Sequence, residues 1–341
     1  VSATSSDWPE VDLHVVTGKG GTGKTTVAAA LALALASTGK NVLVCEVEGR
    51  QGISQLFDVP ELPYEERRIA AGLAAEGERA GNVYALHIDA ESALLEYLAM
   101  YYRLGRAGRA LDRFGIIDFA TTIAPGVRDV LLTGKVYEAA RRGRRRGGSS
   151  SKDGRAYDAI VLDAPPTGRI AQFLNVNSEL AGVAKVGPIK SQADTVMTLF
   201  RSPRTAVHLV TVLEEMPVQE TADGIAELRR DQLPVGGVVV NLMRPRDLDR
   251  EDLAAALGGR LDRDRIGKEL GTAGLDVDDE LLDGLLAEAH DHAERRSLED
   301  AQRRLVADLR VPTYELPRLP GGVDLGGLYE LAALLKAEGM A

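Results

Sequence analysis

The stretch Thr17 to Thr26, TGKGGTGKTT, constrains this chain more than any other feature. Gly18, Lys19, Gly20, Gly21, Thr22, Gly23, Lys24 and Thr25 fill the G-x-x-x-x-G-K-[ST] pattern. A short β-branched run, residues 13–16, precedes it; an Ala- and Leu-rich segment, residues 27–36, follows, with Gly39 as its stop signal. Strand, loop and helix in that order are the setting in which the pattern binds phosphate. The glycines let backbone N–H groups turn onto phosphate oxygens, Lys24 neutralises the β- and γ-phosphates, and the Thr25 hydroxyl ligates Mg²⁺. The helix carrying Thr25 and Thr26 adds its positive N-terminal end. A tight glycine turn alone explains neither the lysine nor the hydroxyl after it.

The rest of the chain repeats this alternation. Short apolar runs at residues 13–16, 42–47, 83–88, 159–163, 206–212 and 235–241, with a weaker one at 312–315, are separated by helix-compatible segments. Near-continuous apolar strands between helices predict an α/β fold: a P-loop NTPase with a doubly wound, mostly parallel sheet flanked by helices. With 341 residues and 45% hydrophobic content, the chain can bury one large domain, expected over residues 11–341. Three regions stand apart. Residues 60–137 are largely helical in pattern apart from the run at 83–88 and predict an inserted helical lobe. Residues 141–155, RRGRRRGGSSSKDGR, cannot bury apolar area and predict a flexible basic loop, either a solvated linker or a contact for an anion or acidic partner. Residues 250–310 are charged and helical, a second helical elaboration.

Charge and cysteine content exclude several function classes. The 41 Lys and Arg against 51 Asp and Glu leave a net charge of -10, a field that repels DNA and anionic lipid, so no nucleic-acid partner is expected. The lone Cys45 excludes an internal disulfide and any metal site that one chain builds from two thiolates. No apolar run of about 18 residues occurs, and the first residues, VSATSSDWPE, lack signal-peptide character, so a soluble cytoplasmic protein is expected.

Lys19 carries a second signal. A lysine near the start of the loop, in KGGTGKTT, resembles the deviant Walker A shared by the arsenite-pump ATPase (ArsA), the Get-pathway targeting ATPase, and the MinD/ParA and nitrogenase iron-protein groups. The resemblance implies ATP and Mg²⁺ as ligands and a sandwich dimer in which Lys19 reaches the partner's nucleotide, much as an arginine finger does. A solvated lysine is the plainer alternative. EVEGRQGISQLF, from Glu46 to Phe57, looks like the switch I of the ArsA and Get families, with Glu48 where those families place the aspartate that polarises water. The resemblance makes Glu48 the candidate catalytic carboxylate and Glu46 the second, against a plain loop-surface role.

YDAIVLDAPPTGRIAQFL, from Tyr157 to Leu174, follows a Walker B pattern, with Asp163 placed to hold the Mg²⁺ shell through water. Its second half resembles the family switch II, D-T-A-P-T-G-H-T-L-R: Asp163, Pro166, Thr167 and Gly168 match, Ala164 and Pro165 depart, and Arg169 replaces the histidine. Pro217 and Glu220 sit in a P-x-x-E/Q-T neighbourhood similar to the family's. The resemblance also implies that Asn241 hydrogen-bonds adenine through its paired amide donor and acceptor, unless it merely ends a strand. Pro317 lies in the segment whose backbone walls that base.

The departures narrow the function. One cysteine cannot supply three thiolates for arsenite, the paired C-x-x-C of a zinc-pinned dimer, or a shared iron–sulfur cluster, so neither arsenite nor zinc is expected. Leu94, Leu95, Leu98, Met100, Tyr101, Tyr102 and Leu104 form a stripe that is either a client-binding face or, more commonly at this spacing, core. The expectation is a dimeric ATPase switch, a homodimer or a heterodimer with a paralogous ATPase, that binds a protein or membrane-associated client. Glu48 and Arg169 leave open a catalytically slow subunit completed by a paralogue. A MinD/ParA-type positioning ATPase is a third reading, weakened by the scarcely basic tail.

Overall fold

A computed structural model describes residues 6–49, 51–74, 79–102, 125–143, 157–175, 188–245 and 248–341. Its centre is an eight-stranded sheet, β1 (Leu13–Gly18), β2 (Val42–Glu46), β3 (Arg67–Ala71), β4 (Asn82–His87), β5 (Ala159–Asp163), β6 (Thr205–Thr211), β7 (Val235–Met243) and β8 (Thr313–Pro317). The spatial order is β3-β4-β2-β5-β1-β6-β7-β8. Every neighbouring pair is parallel except β3 with β4. β1, β2, β5 and β6 are buried along their whole length, the consequence of helices lying on both faces.

One face is covered by α1 (Lys24–Ala36), α2 (Gly52–Leu56) and α11 (Leu325–Ala337). The ten residues Val27 to Ala36 of α1 are all buried, which small alanines allow by letting the helix sit close to the strands. Gly39, at φ 92°, closes α1 by donating its N–H to the Ala36 carbonyl at 3.0 Å. The other face carries α4 (Pro125–Gly143), α5 (Thr167–Leu174), α6 (Pro188–Phe200) and α7 (Glu215–Arg230). The chain moves from β1 to the β2 side, returns to β5, and then crosses β1 to β6, so the strand order reverses around β1. In open parallel sheets that reversal opens a crevice beyond the strand carboxyl ends, where the loop after β1 lies.

Among the described residues of 60–137, β3 and β4 extend the sheet edge, and α3 (Ala90–Tyr102) and the start of α4 are helical. β3, RRIAA, is short and charged, and its exposed Arg67 and Arg68 protect an edge rather than mark a strand. Within the candidate client stripe, Leu94 is buried with Ala93, Tyr97 and Leu131. Leu95 packs against that cluster. Leu104 and the side chains of Leu98, Met100, Tyr101 and Tyr102 lie outside the described residues. Arg141 and Arg142 form the last turn of α4, and residues 144–156 of the basic segment lie outside the described residues. Residues 250–310 contain α8 (Arg250–Leu257), α9 (Arg263–Thr272) and the 30-residue α10 (Asp279–Asp308). Asp249, Asp262 and Asp278 cap their N-termini through side-chain acceptors.

Candidate nucleotide site

The loop between β1 and α1 is held open by contacts that only glycine permits. A Cβ on Gly18 would stand 2.2 Å from the Val210 carbonyl oxygen of β6. Gly23 has φ 88°, and a Cβ there would stand 2.3 Å from Asn241 Nδ2. Gly20 and Gly21, by contrast, face open space at the crest of the loop. Gly23 is also the N-cap of α1 and supplies no side-chain acceptor, and no acidic residue lies in the first turn. The helix therefore presents free N–H groups and the positive end of its dipole to the crevice, a setting complementary to phosphate. Lys24, Thr25 and Thr26, half-buried, start the helix on that side.

β5 brings Asp163 to the same point. It pairs in register with Val16 of β1 and Glu46 of β2, and its Oδ2 accepts from the Thr25 hydroxyl at 2.7 Å. Asp163 is 7% exposed and its Oδ1 has no partner among the described residues. Burial, partly offset by Thr25 and Lys24, pushes its pKa up to about 7, and Glu46 and Glu48 push in the same direction. A buried carboxylate with one free oxygen beside a threonine hydroxyl suits a hard cation with oxygen ligands, so these residues fit Mg²⁺.

The two acidic candidates of the β2 end differ in environment. Glu46 is buried; its Oε1 accepts from the Gly52 N–H at 2.7 Å, and its Oε2 lies 3.5 Å from His87 Nδ1. Its Oε1 anchors the start of α2, and its Oε2 makes no hydrogen bond among the described residues. Glu48 is half-buried, and no hydrogen bond or ion pair engages it among the described residues. Its charge adds to the upward push on the Asp163 pKa.

The turn after Asp163 is tied to the loop by the buried Thr17, whose hydroxyl donates to the Pro165 carbonyl at 2.7 Å. No pattern of residue types signals this bond. Gly168 faces open space and Thr167 is buried, its Oγ1 without a described partner. Lys19 does not point into free solvent: its Nζ lies 2.8 Å from Glu220 Oε1 on α7 of the same chain. Asn241 Nδ2 donates to the Thr22 carbonyl at 2.9 Å, and the residue is 4% exposed, so the donor half of the amide supports the loop. Pro317 ends β8 opposite Met243, and Arg318 donates its N–H to the Met243 carbonyl at 2.8 Å, closing the same side of the crevice. Cys45 is buried and its thiol pKa is raised by that burial, so it is inert. Among the described residues no helix is long and apolar enough to cross a membrane.

Comparison with known proteins agrees with this geometry. The family model for anion-transporting ATPases matches residues 12–203, which include the phosphate loop, Glu48 and Asp163. The chain is 51% identical over 341 residues to the ATPase BagA of Mycobacterium tuberculosis, covering 99% of this chain and 97% of that protein. It is 24% identical over 271 residues to the ATPase GET3 of Kluyveromyces lactis, covering 70% of this chain and 73% of that one. An eight-stranded sheet whose order reverses at a glycine loop, with Thr25 bonded to Asp163 at the loop's mouth, thus belongs to a member of the anion-transporting ATPase family.

Proposed function

We propose that this chain binds and hydrolyses ATP with Mg²⁺ and works as a dimeric switch that couples its nucleotide state to a protein or membrane-associated client. The observation that carries the reading is the Thr25–Asp163 hydrogen bond at 2.7 Å, which brings the loop hydroxyl and the β5 carboxylate together around the unpartnered Asp163 Oδ1. Lys24 and the N–H groups from Gly20 to Thr26 would hold the phosphates; Thr25, and Asp163 through water, would hold the cation. Bound Mg²⁺ supplies charge neutralisation at the phosphate oxygens. Glu48 is the carboxylate for orienting water, since no hydrogen bond or ion pair engages it among the described residues, whereas Glu46 Oε1 accepts from Gly52. Replacing Lys24 with Ala tests the reading: Mg²⁺-dependent phosphate release should fall by about 100-fold or more, and wild-type turnover in that variant would overturn it.

A second reading rests on Glu48, one methylene longer than the aspartate of the resembled families: a slow subunit completed by a paralogous ATPase. Turnover of the isolated chain separates the two, because the second reading requires hydrolysis only after the paralogue is added.

A further inference from the structure

Glu46 is an acidic side chain folded into the interior, and what it holds there is a backbone. It ends β2, in register with Asp163 of β5 on one side and His87 of β4 on the other. Its Oε1 accepts from the Gly52 N–H at 2.7 Å. The carboxylate therefore spans the link from β2 to α2, which carries Glu48, and closes it onto the first residue of α2.

That first residue lies against the phosphate loop. A Cβ on Gly52 would stand 3.0 Å from Thr25 Cγ2 and 3.4 Å from Glu46 Oε1, so only glycine lets the link close this tightly. The link begins beside Asp163 and ends beside Thr25, the two residues joined by the 2.7 Å hydrogen bond. A second clamp holds its far end. Gln51, at φ 53°, donates from Nε2 to the Leu62 carbonyl at 3.1 Å and accepts the Leu62 N–H at Oε1 at 2.8 Å. Both halves of one amide thus secure a backbone conformation that side chains rarely adopt.

A base must take a proton, whereas a residue that holds a backbone N–H needs only an acceptor. We propose that Glu46 and Gln51 are positioning residues: together they fix the two ends of the link, so that Glu48 is held in place before nucleotide binds. Glu46 acts here through one acceptor oxygen rather than as a base. The proposal rests on the ATP reading above and on its assignment of Glu48. A reacting group whose position is set in advance loses less on reaching the transition state, and small displacements of it are costly in rate.

Three measurements on the full chain test it: turnover at saturating Mg²⁺ and ATP, affinity for a non-hydrolysable ATP analogue, and hydrogen exchange of the Gly52 amide without ligand. Glu46→Ala should speed that exchange and lower kcat by about 10- to 100-fold. Its affinity for the analogue should stay within about 3-fold of wild type, since the loss falls on the reacting geometry. Glu46→Gln keeps an oxygen for Gly52 and sets an amide N–H toward His87 Nδ1, which lies 3.5 Å from Glu46 Oε2 and has no hydrogen bond among the described residues. It should restore most of the turnover and the slow exchange. Gln51→Ala, at a half-buried position outside the core, should lower kcat in the same direction. Both losses should vanish in a Glu48→Ala background, because both residues act through Glu48. A Glu46→Gln variant as slow as Glu46→Ala would make Glu46 a base and overturn the proposal. So would losses that multiply with that of Glu48→Ala, or a Gly52 amide freed by Glu46→Ala with turnover unchanged. Wild-type turnover in Glu48→Ala would remove the assignment of Glu48, and a wild type without Mg²⁺-dependent turnover the ATP reading itself, and the proposal would fall with either.

Discussion

Lys19 Nζ and Glu220 Oε1 lie 2.8 Å apart within one chain, although the resembled families imply that this lysine serves the partner's nucleotide. If Lys19 acts across an interface, closure of the dimer must exchange Glu220 for phosphate. Both side chains are about one-third exposed, so the cis pair is worth no more than ~1 kcal/mol. Glu220→Ala should therefore lower the protein concentration needed for nucleotide-triggered dimerisation, by up to about 5-fold for each Lys19 that crosses the interface, which is that ~1 kcal/mol converted. Lys19→Ala should abolish the same dimer. Sedimentation with a non-hydrolysable ATP analogue measures both, and a dimer indifferent to Lys19 would rule out the trans role.

Asp163 predicts a pH effect of definite sign. Its pKa of about 7 in the folded chain is above the ordinary aspartate value of 3.8, so the free protein is favoured at low pH and loses stability as pH rises from about 4 to about 7. Asp163→Asn removes a buried charge and should stabilise the ligand-free protein at pH 8 by about 1–3 kcal/mol, with no gain at pH 4. The same variant should lose the stabilisation that Mg²⁺ with ATP gives the wild type. Thermal melts at the two pH values check all three statements; a destabilised variant at pH 8 would show that the carboxylate is held by contacts rather than strained by burial.

What was legible in the sequence was local. The glycine loop and its strand–loop–helix setting are written in consecutive residues, and β1, β2, β5 and β6 read as strands because every position but His14, Glu46, Asp163 and His208 is apolar or small. β3 was not legible, because an edge strand of five residues with two exposed arginines has neither alternation nor an apolar run. The acidic residues of the β2 end were ranked by resemblance alone, Glu48 before Glu46: only the fold shows Glu46 Oε1 held by Gly52 and Glu48 free of such a clamp. Partnerships across long separations, Thr17 with Pro165, Lys19 with Glu220, Arg169 with Asp129 and Asn241 with Thr22, depend on how the layers pack. No pattern of residue types encodes them.

At the opposite end of the strands, His14 and His208 form a buried pair, Nδ1 to Nε2 at 3.1 Å, and His208 Nδ1 accepts from the Gly237 N–H at 3.0 Å. Burial pushes the His208 pKa down to about 3, and burial followed by the neighbouring imidazole depresses His14. A histidine depressed in the folded state contributes stability above its unfolded value of about 6.5, lost as pH falls toward the folded value. Between pH 6.5 and pH 5 His208 alone should cost about 2 kcal/mol, and His14 adds in the same direction. The lone Trp8 packs edge-on against His208 at 5.2 Å and donates to the Tyr314 hydroxyl at 2.9 Å, so its fluorescence reports the unfolding. His208→Gln, which keeps an acceptor for Gly237, should flatten the pH dependence of the denaturation midpoint; an unchanged slope would show that the pair does not set it.

Asn241 can act as a strut of the phosphate loop or as a reader of the base, and the two roles leave different marks on selectivity. Its Nδ2 bond to the Thr22 carbonyl, 2.9 Å long and buried, lies beside Gly23, whose left-handed backbone places the first turn of α1. Removing the amide leaves the Thr22 carbonyl without this donor in a buried setting, a loss of about 1–3 kcal/mol, or roughly 5- to 150-fold in nucleotide affinity if the loop bears all of it. A strut fails for every nucleotide alike, because the triphosphate is common to all of them. A base reader fails selectively: its loss weakens ATP and leaves GTP nearly untouched. The expected outcome for Asn241→Ala is equal weakening of ATP and GTP, measured by titration calorimetry on the full chain, and a collapse of the ATP-to-GTP ratio would return Asn241 to the adenine.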